Sequence, residues 1–158
     1  MPVLIDFYRE CLIVLRKKLL DVAPEEGCAL LLGTKKQSNE NPNLTRWQIQ
    51  LVWECGNVWE PEFAKKFESS YLKSKTSSSG LSRLNRYCLD PLAQLEAQRW
   101  ARTNNMQILG SAHSHPLGES IPSSIDRSWP IAYRLMVIVN GSGTVRAWLM
   151  ANNQNFCA

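Results

Sequence analysis

Hydrophobic positions recur along the chain at two different periods. Over residues 3–20, Leu4, Phe7, Cys11, Leu12, Leu15 and Leu19 return at helical spacing, while Arg9, Arg16, Lys17 and Lys18 lie largely off that stripe. This predicts an amphipathic helix with a core-facing side, and the basic cluster near its end suits the helix dipole. Ala23-Pro24 closes it. Residues 28–32 form a short apolar run stopped by Gly33, the pattern of a buried strand. Residues 34–45 are polar and predict a loop. Trp47, Ile49, Leu51 and Trp53 then alternate with their neighbours, the period of a strand with one buried face. Asp90-Pro91 supplies a helix N-cap followed by proline at the first helical position, and that helix runs to about Thr103. Residues 106–112, 135–139 and 145–150 predict three more strands. The first leads into His113, and Asn140-Gly141-Ser142-Gly143 joins the other two as a hairpin. Helices alternate with strands early and strands pair late, which predicts an α/β fold with a mixed β-sheet flanked by helices.

Composition narrows the picture. The 158 residues suit one domain spanning 1–158, and the 44% hydrophobic content suits a globular core. The net charge of +4 is a mild excess and no nucleic-acid footprint. Much of the excess lies at residues 64–86, where Lys65, Lys66, Lys73, Lys75, Arg83 and Arg86 are diluted by serines. This segment reads as a Ser-rich basic loop. The five cysteines are odd in number, widely spaced and without a C-x-x-C pair. That pattern argues against a disulfide framework and for free thiols in a reducing cytoplasm, with Cys11, Cys28 and Cys55 as small core residues. Asp6, Arg9 and Glu10 break any signal-peptide layout, and no apolar stretch is long enough to span a bilayer. The expectation is therefore a cytoplasmic protein with neither nucleic acid nor membrane as partner.

The chemistry concentrates at one place. The chain has two histidines, both in Ala112-His113-Ser114-His115-Pro116. Positions i and i+2 of an extended segment project from one face, so the two imidazoles can converge on one ion. The following loop carries two carboxylates, Glu119 and Asp126, either of which can complete a His-His-carboxylate metal set. The residues alone leave that choice open.

The string His113-Ser114-His115, seven residues, Ser123, two residues, Asp126 resembles the H-x-H-x7-S-x2-D motif of the JAMM (MPN-plus) metalloprotease family. Upstream, the run from Pro24 to Gly33, PEEGCALLLG, is similar to the family's P-x-E-x-C-G-L-L-x-G segment, with Ala29 where the family usually has glycine. The likeness extends from about residue 4 to 150. It implies a curved MPN/JAMM-like sheet, related to the cytidine-deaminase-like fold. It implies Zn2+ on His113, His115 and Asp126, Glu26 as the base that handles the proton of water, and Ser123 as hydrogen-bond donor to the developing oxyanion. The implied activity is hydrolysis of an amide or isopeptide bond after the C-terminal Gly-Gly of a ubiquitin-like or sulfur-carrier protein. In that setting residues 64–86 would form a flap over a tail running past the His113–His115 strand. Lys73, Lys75 and Arg83 there would attract an acidic carrier.

Other classes compete. A zinc nucleobase deaminase carries H-x-E and P-C-x-x-C, and this chain has neither. A non-catalytic MPN-type scaffold that binds zinc shares the ligands, and turnover separates it from an enzyme. A DNA-associated module is permitted by the basic loop, but no recognition helix or aromatic RNA motif accompanies it.

Overall fold

A computed structural model describes residues 2–62, 82–128 and 133–150. Most of the 64–86 segment, with Lys73 and Lys75, lies outside the described residues, as does Cys157. The elements run β1 (Val3–Phe7), α1 (Arg9–Leu20), β2 (Cys28–Gln37), β3 (Thr45–Cys55), α2 (Pro91–Thr103), β4 (Gln107–His115), α3 (Ser124–Ser128), β5 (Leu135–Asn140) and β6 (Val145–Leu149). They build a curved six-stranded sheet in the order β1-β3-β2-β4-β5-β6. It is mixed: β1 runs parallel to β3 and β4 parallel to β5, whereas β2 is antiparallel to both neighbours.

The helices cover opposite faces. Cys11, Leu15 and Leu19 of α1 join Ala29, Leu31, Ala112, Leu135 and Val137 in one core. Ala97 and Ala101 of α2 join Cys28, Leu30, Leu32 and Cys55 in the other. A strand buried on both sides reads as a continuous apolar run, which is why β2 opens Cys-Ala-Leu-Leu-Leu. Asp90 caps α2 by accepting a hydrogen bond from the Leu92 amide at 3.0 Å. Cys11, Cys28, Cys55 and Cys88 are free thiols, the first three buried. Among the described residues no helix is long and apolar enough to cross a membrane.

Three expectations need correction. Residues 3–20 are not one helix: residues 3–7 are an edge strand, and the helix starts at Arg9. Val3, Ile5 and Phe7 alternate onto the α1-side core, so a period-2 signal underlies the helical one, and parallel pairing with β3 decides in its favour. The strand at residue 28 continues to Gln37, because its second half pairs with residues 45–49 in spite of its polar side chains. Finally, β3 does not bury one face throughout. Leu32 pairs with Leu51 and Gly33 with Ile49, so Gln50 is an extra residue in a β-bulge. Trp47 and Ile49 consequently face the α1-side core, while Leu51 and Trp53 face the other. A side chain at Gly33 would collide with the Gln48 carbonyl at this bulge.

Candidate metal centre

His113 and His115 lie on β4 itself, at its C-terminal end and on its α2-side face. Ser114 between them points the other way. Its amide donates to the Gly27 carbonyl (3.0 Å), and its hydroxyl accepts from the Gly27 amide (2.8 Å) and donates to the Leu19 carbonyl (3.2 Å). One serine thus ties β4 to the segment that carries Glu26 and to the end of α1. The approach is close: a side chain on Gly27 would meet the Leu19 carbonyl oxygen at 2.5 Å. Ser114→Ala would orphan a buried donor and a buried acceptor, and is expected to cost about 1–3 kcal/mol. A urea titration should show a lower midpoint with an unchanged slope.

Asp126 arrives from α3. The Ser123 amide donates to Asp126 Oδ2 (2.8 Å), and Ser123 Oγ accepts from the Asp126 amide (3.1 Å). This is a reciprocal capping box, with Ser123 as N-cap and Asp126 three residues on. The S-x2-D half of the sequence motif therefore fixes where the carboxylate points. Ser123 Oγ uses a lone pair in that bond, which leaves its proton to donate.

These elements bring three ligand atoms together. His113 Nε2 and His115 Nε2 are 2.9 Å apart, and each is 3.2 Å from Asp126 Oδ2. Ligands at ordinary zinc distances on a tetrahedron stand ~3.3 Å from one another, so the triangle has the size of a metal's donor set. The donors fit as well. His115 Nδ1 lies 2.8 Å from the Glu119 carbonyl, which can only accept. The proton therefore sits on Nδ1, and the Nε2 lone pair faces the triangle. The His115 Nε2 lone pair and the Asp126 carboxylate oxygen, 3.2 Å apart, repel one another unless a proton or a metal cation lies between them. The His113–His115–Asp126 group can hold a metal ion. Glu119, the rival carboxylate, contributes its backbone carbonyl instead.

Electrostatics follow the geometry. Burial lowers the pKa of fully buried His113 and favours its neutral imidazole. Burial opposes ionisation of Asp126, but the bonds with His113 and His115 outweigh it and hold the carboxyl well below its usual range. Glu26 stands outside the triangle, with Oε1 3.8 Å from His115 Nε2. Burial pushes its carboxyl up to about 8; Asp126 adds to the rise, while His115 and Arg86 pull against it.

Sequence reasoning missed three residues at this site. Arg86, counted among the loop cations, is 2% exposed, and its charge faces Glu26 and Asp126. Tyr87 stacks on His113 with ring centroids 4.3 Å apart, and its hydroxyl bonds with Ser111. Asn57 binds the backbone beside Glu26. A basic residue followed by an aromatic just ahead of the Asp90-Pro91 cap was the available signal for the first two. β4 is paired on both sides, so no peptide can add to it as a further strand.

A mixed sheet between two helices, with a His-x-His pair at a strand end and an aspartate from the next short helix, defines a metal-binding α/β domain of the JAB/MPN class. The chain belongs to the prokaryotic homologs of the JAB domain, whose family model matches residues 9–151. Two curated relatives are similar over shorter stretches. One is named a probable TtuB-protein conjugate cleaving protease, from Thermus thermophilus. It is 34% identical over 76 residues, 46% of this chain and 49% of the relative. The other is named a desampylase, from Pyrococcus furiosus, and is 30% identical over 88 residues, 53% of this chain and 61% of the relative. The matches thus span about half to three fifths of these relatives' length. Solution structures of proteins from Desulfitobacterium hafniense and Salinibacter ruber share the fold. The first has a TM-score of 0.62 at 19% identity, covering 91% of this chain and 81% of that one. The second has a TM-score of 0.51 at 21% identity, covering 92% and 82%.

Proposed function

We propose that this protein is a zinc-dependent peptidase. It hydrolyses the amide or isopeptide bond after the C-terminal Gly-Gly of a ubiquitin-like or sulfur-carrier protein. The observation that carries this reading is the triangle of His113 Nε2, His115 Nε2 and Asp126 Oδ2, with a buried carboxylate 3.8 Å from one corner. The names of the two curated relatives support a protein conjugate as substrate. The free thiols fit a reducing compartment, the cytoplasm.

When bound by the three ligands, zinc supplies Lewis acidity and makes water a usable nucleophile near neutral pH. The chain's own residues do the rest. Glu26, buried beside the triangle with Oε1 3.8 Å from His115 Nε2, is placed to take a proton from the attacking water and to hand it to the leaving amine. Ser123, anchored by its capping bond, has its hydroxyl proton available for the substrate's carbonyl oxygen as negative charge builds there. His115 is held in its ligating tautomer by the Glu119 carbonyl.

The test is direct. Zinc-loaded protein is incubated with fusions in which a Gly-Gly-tailed carrier is joined to a second protein through its terminus or a lysine. Intact mass should show the carrier ending at Gly-Gly and the partner with a free amine. Intact fusions in the presence of stoichiometric zinc would count against the peptidase reading and for the scaffold one.

A further inference from the structure

We propose that Asn57, just beyond β3, is a positioning residue for Glu26; this rests on the role given to Glu26 above. Its side-chain amide spends its whole bonding capacity on backbone. Nδ2 donates to the Glu26 carbonyl (2.9 Å) and to the Arg86 carbonyl (2.9 Å). Oδ1 accepts from the amides of Trp59 (3.1 Å) and Cys88 (3.1 Å). Three stretches far apart in sequence are thereby joined at one side chain.

The placement matters because Glu26 lies ahead of β2 and outside its ladder. Its amide is bound to the Arg83 carbonyl (2.7 Å) and its carbonyl to Asn57. With both ends of the residue held, the carboxylate is delivered 3.8 Å from His115 Nε2. The same amide anchors Arg86, whose charge faces Glu26 and Asp126, and adjoins Tyr87, whose ring lies on His113. The 57–59 and 86–89 stretches are also joined by the Val58 amide to the Cys88 carbonyl (3.0 Å) and by an Asn57–Leu89 bridge. The Nδ2 half of Asn57 is thus the part whose removal frees Glu26 while leaving that backbone pairing in place.

Asn57→Asp tests this. It keeps an acceptor for Trp59 and Cys88 and sets a carboxylate oxygen against two carbonyls. Asn57→Ser, too short to reach either carbonyl, is the second variant. A misplaced catalytic group costs on the order of 10²-fold. Both variants should lose kcat by about 10–100-fold, with KM within about 2-fold and zinc stoichiometry unchanged. In a Glu26→Gln background, adding either change should cost less than about 3-fold, because the group it positions is already gone. A merely structural role predicts losses that multiply. Independently of turnover, hydrogen exchange at the Glu26 amide should accelerate in both variants while the β2 and β4 amides keep their protection. Wild-type kcat in both variants, multiplying losses, or loss of zinc or of the folded state in both would overturn the proposal. If wild-type protein cleaves no conjugate, the peptidase reading fails by itself. Exchange at Glu26 then still decides, and unchanged exchange in both variants overturns the role of Asn57.

Discussion

Glu26→Gln is expected to leave a folded protein that still holds one zinc ion and to cut turnover by about 10²–10⁴-fold, the usual effect of removing a general base. The three ligand atoms lie 2.9–3.2 Å from one another, and Glu26 Oε1 stands 3.8 Å from the nearest of them, so the substitution leaves the donor set whole. Stability should move the other way. The Glu26 carboxyl goes from an ordinary 4.5 to about 8 on folding, chiefly through burial. The folded state therefore binds the proton more tightly, and wild-type protein loses stability as pH rises from 4.5 toward 8. Glutamine does not titrate. The stability gap in favour of Glu26→Gln, measured on zinc-free protein by denaturant unfolding, should widen across that window. Glu25→Gln should leave turnover at the wild-type level. If Glu25→Gln abolishes turnover and Glu26→Gln does not, the register of this segment is wrong.

His113→Ala and Asp126→Ala should each weaken zinc binding severely, because each removes one of three protein ligands. Elemental analysis after gel filtration should find about one zinc per chain in wild-type protein and little in either variant; full zinc in both would sink the assignment. Asp126→Ala also strips the capping box from α3, so Asp126→Asn, which keeps an oxygen for the Ser123 amide, separates ligation from helix capping. Protons compete for the same atoms. Burial lowers the His115 pKa, but its bonds with Asp126 and Glu119 outweigh this and leave it above 6.5. Zinc affinity should therefore fall as the pH drops through that raised value.

Much of the site was legible because its signals are local. Histidines two apart on a strand share a face whatever surrounds them, and S-x2-D builds its own capping box. The choice of Asp126 over Glu119 was not local: it needed the loop to turn the Glu119 carbonyl, rather than its carboxylate, toward His115. Arg86 was misread because a guanidinium among serines and lysines has the composition of a solvated loop. Its burial comes from the packing of residues 57–59 against 86–89, which no periodicity reports. The core strands were legible from apolar runs. The edge strand β1 was hidden by an overlapping helical stripe, and the face switch in β3 by a single extra residue, Gln50.

The pairing of β2 with β4 has a consequence for biosynthesis. Glu26 and the two histidines meet only where Gly27 and Ser114, 87 positions apart, exchange hydrogen bonds. Asp126 comes later still in the chain. A ribosome-bound chain emerges from its N-terminal end and folds as it appears. Until residues 113–126 are out, the chain has the acid and none of the His113–His115–Asp126 group, so that group cannot yet assemble. A pulse-labelled chain is accordingly expected to acquire zinc only after residues 107–126 have cleared the exit tunnel.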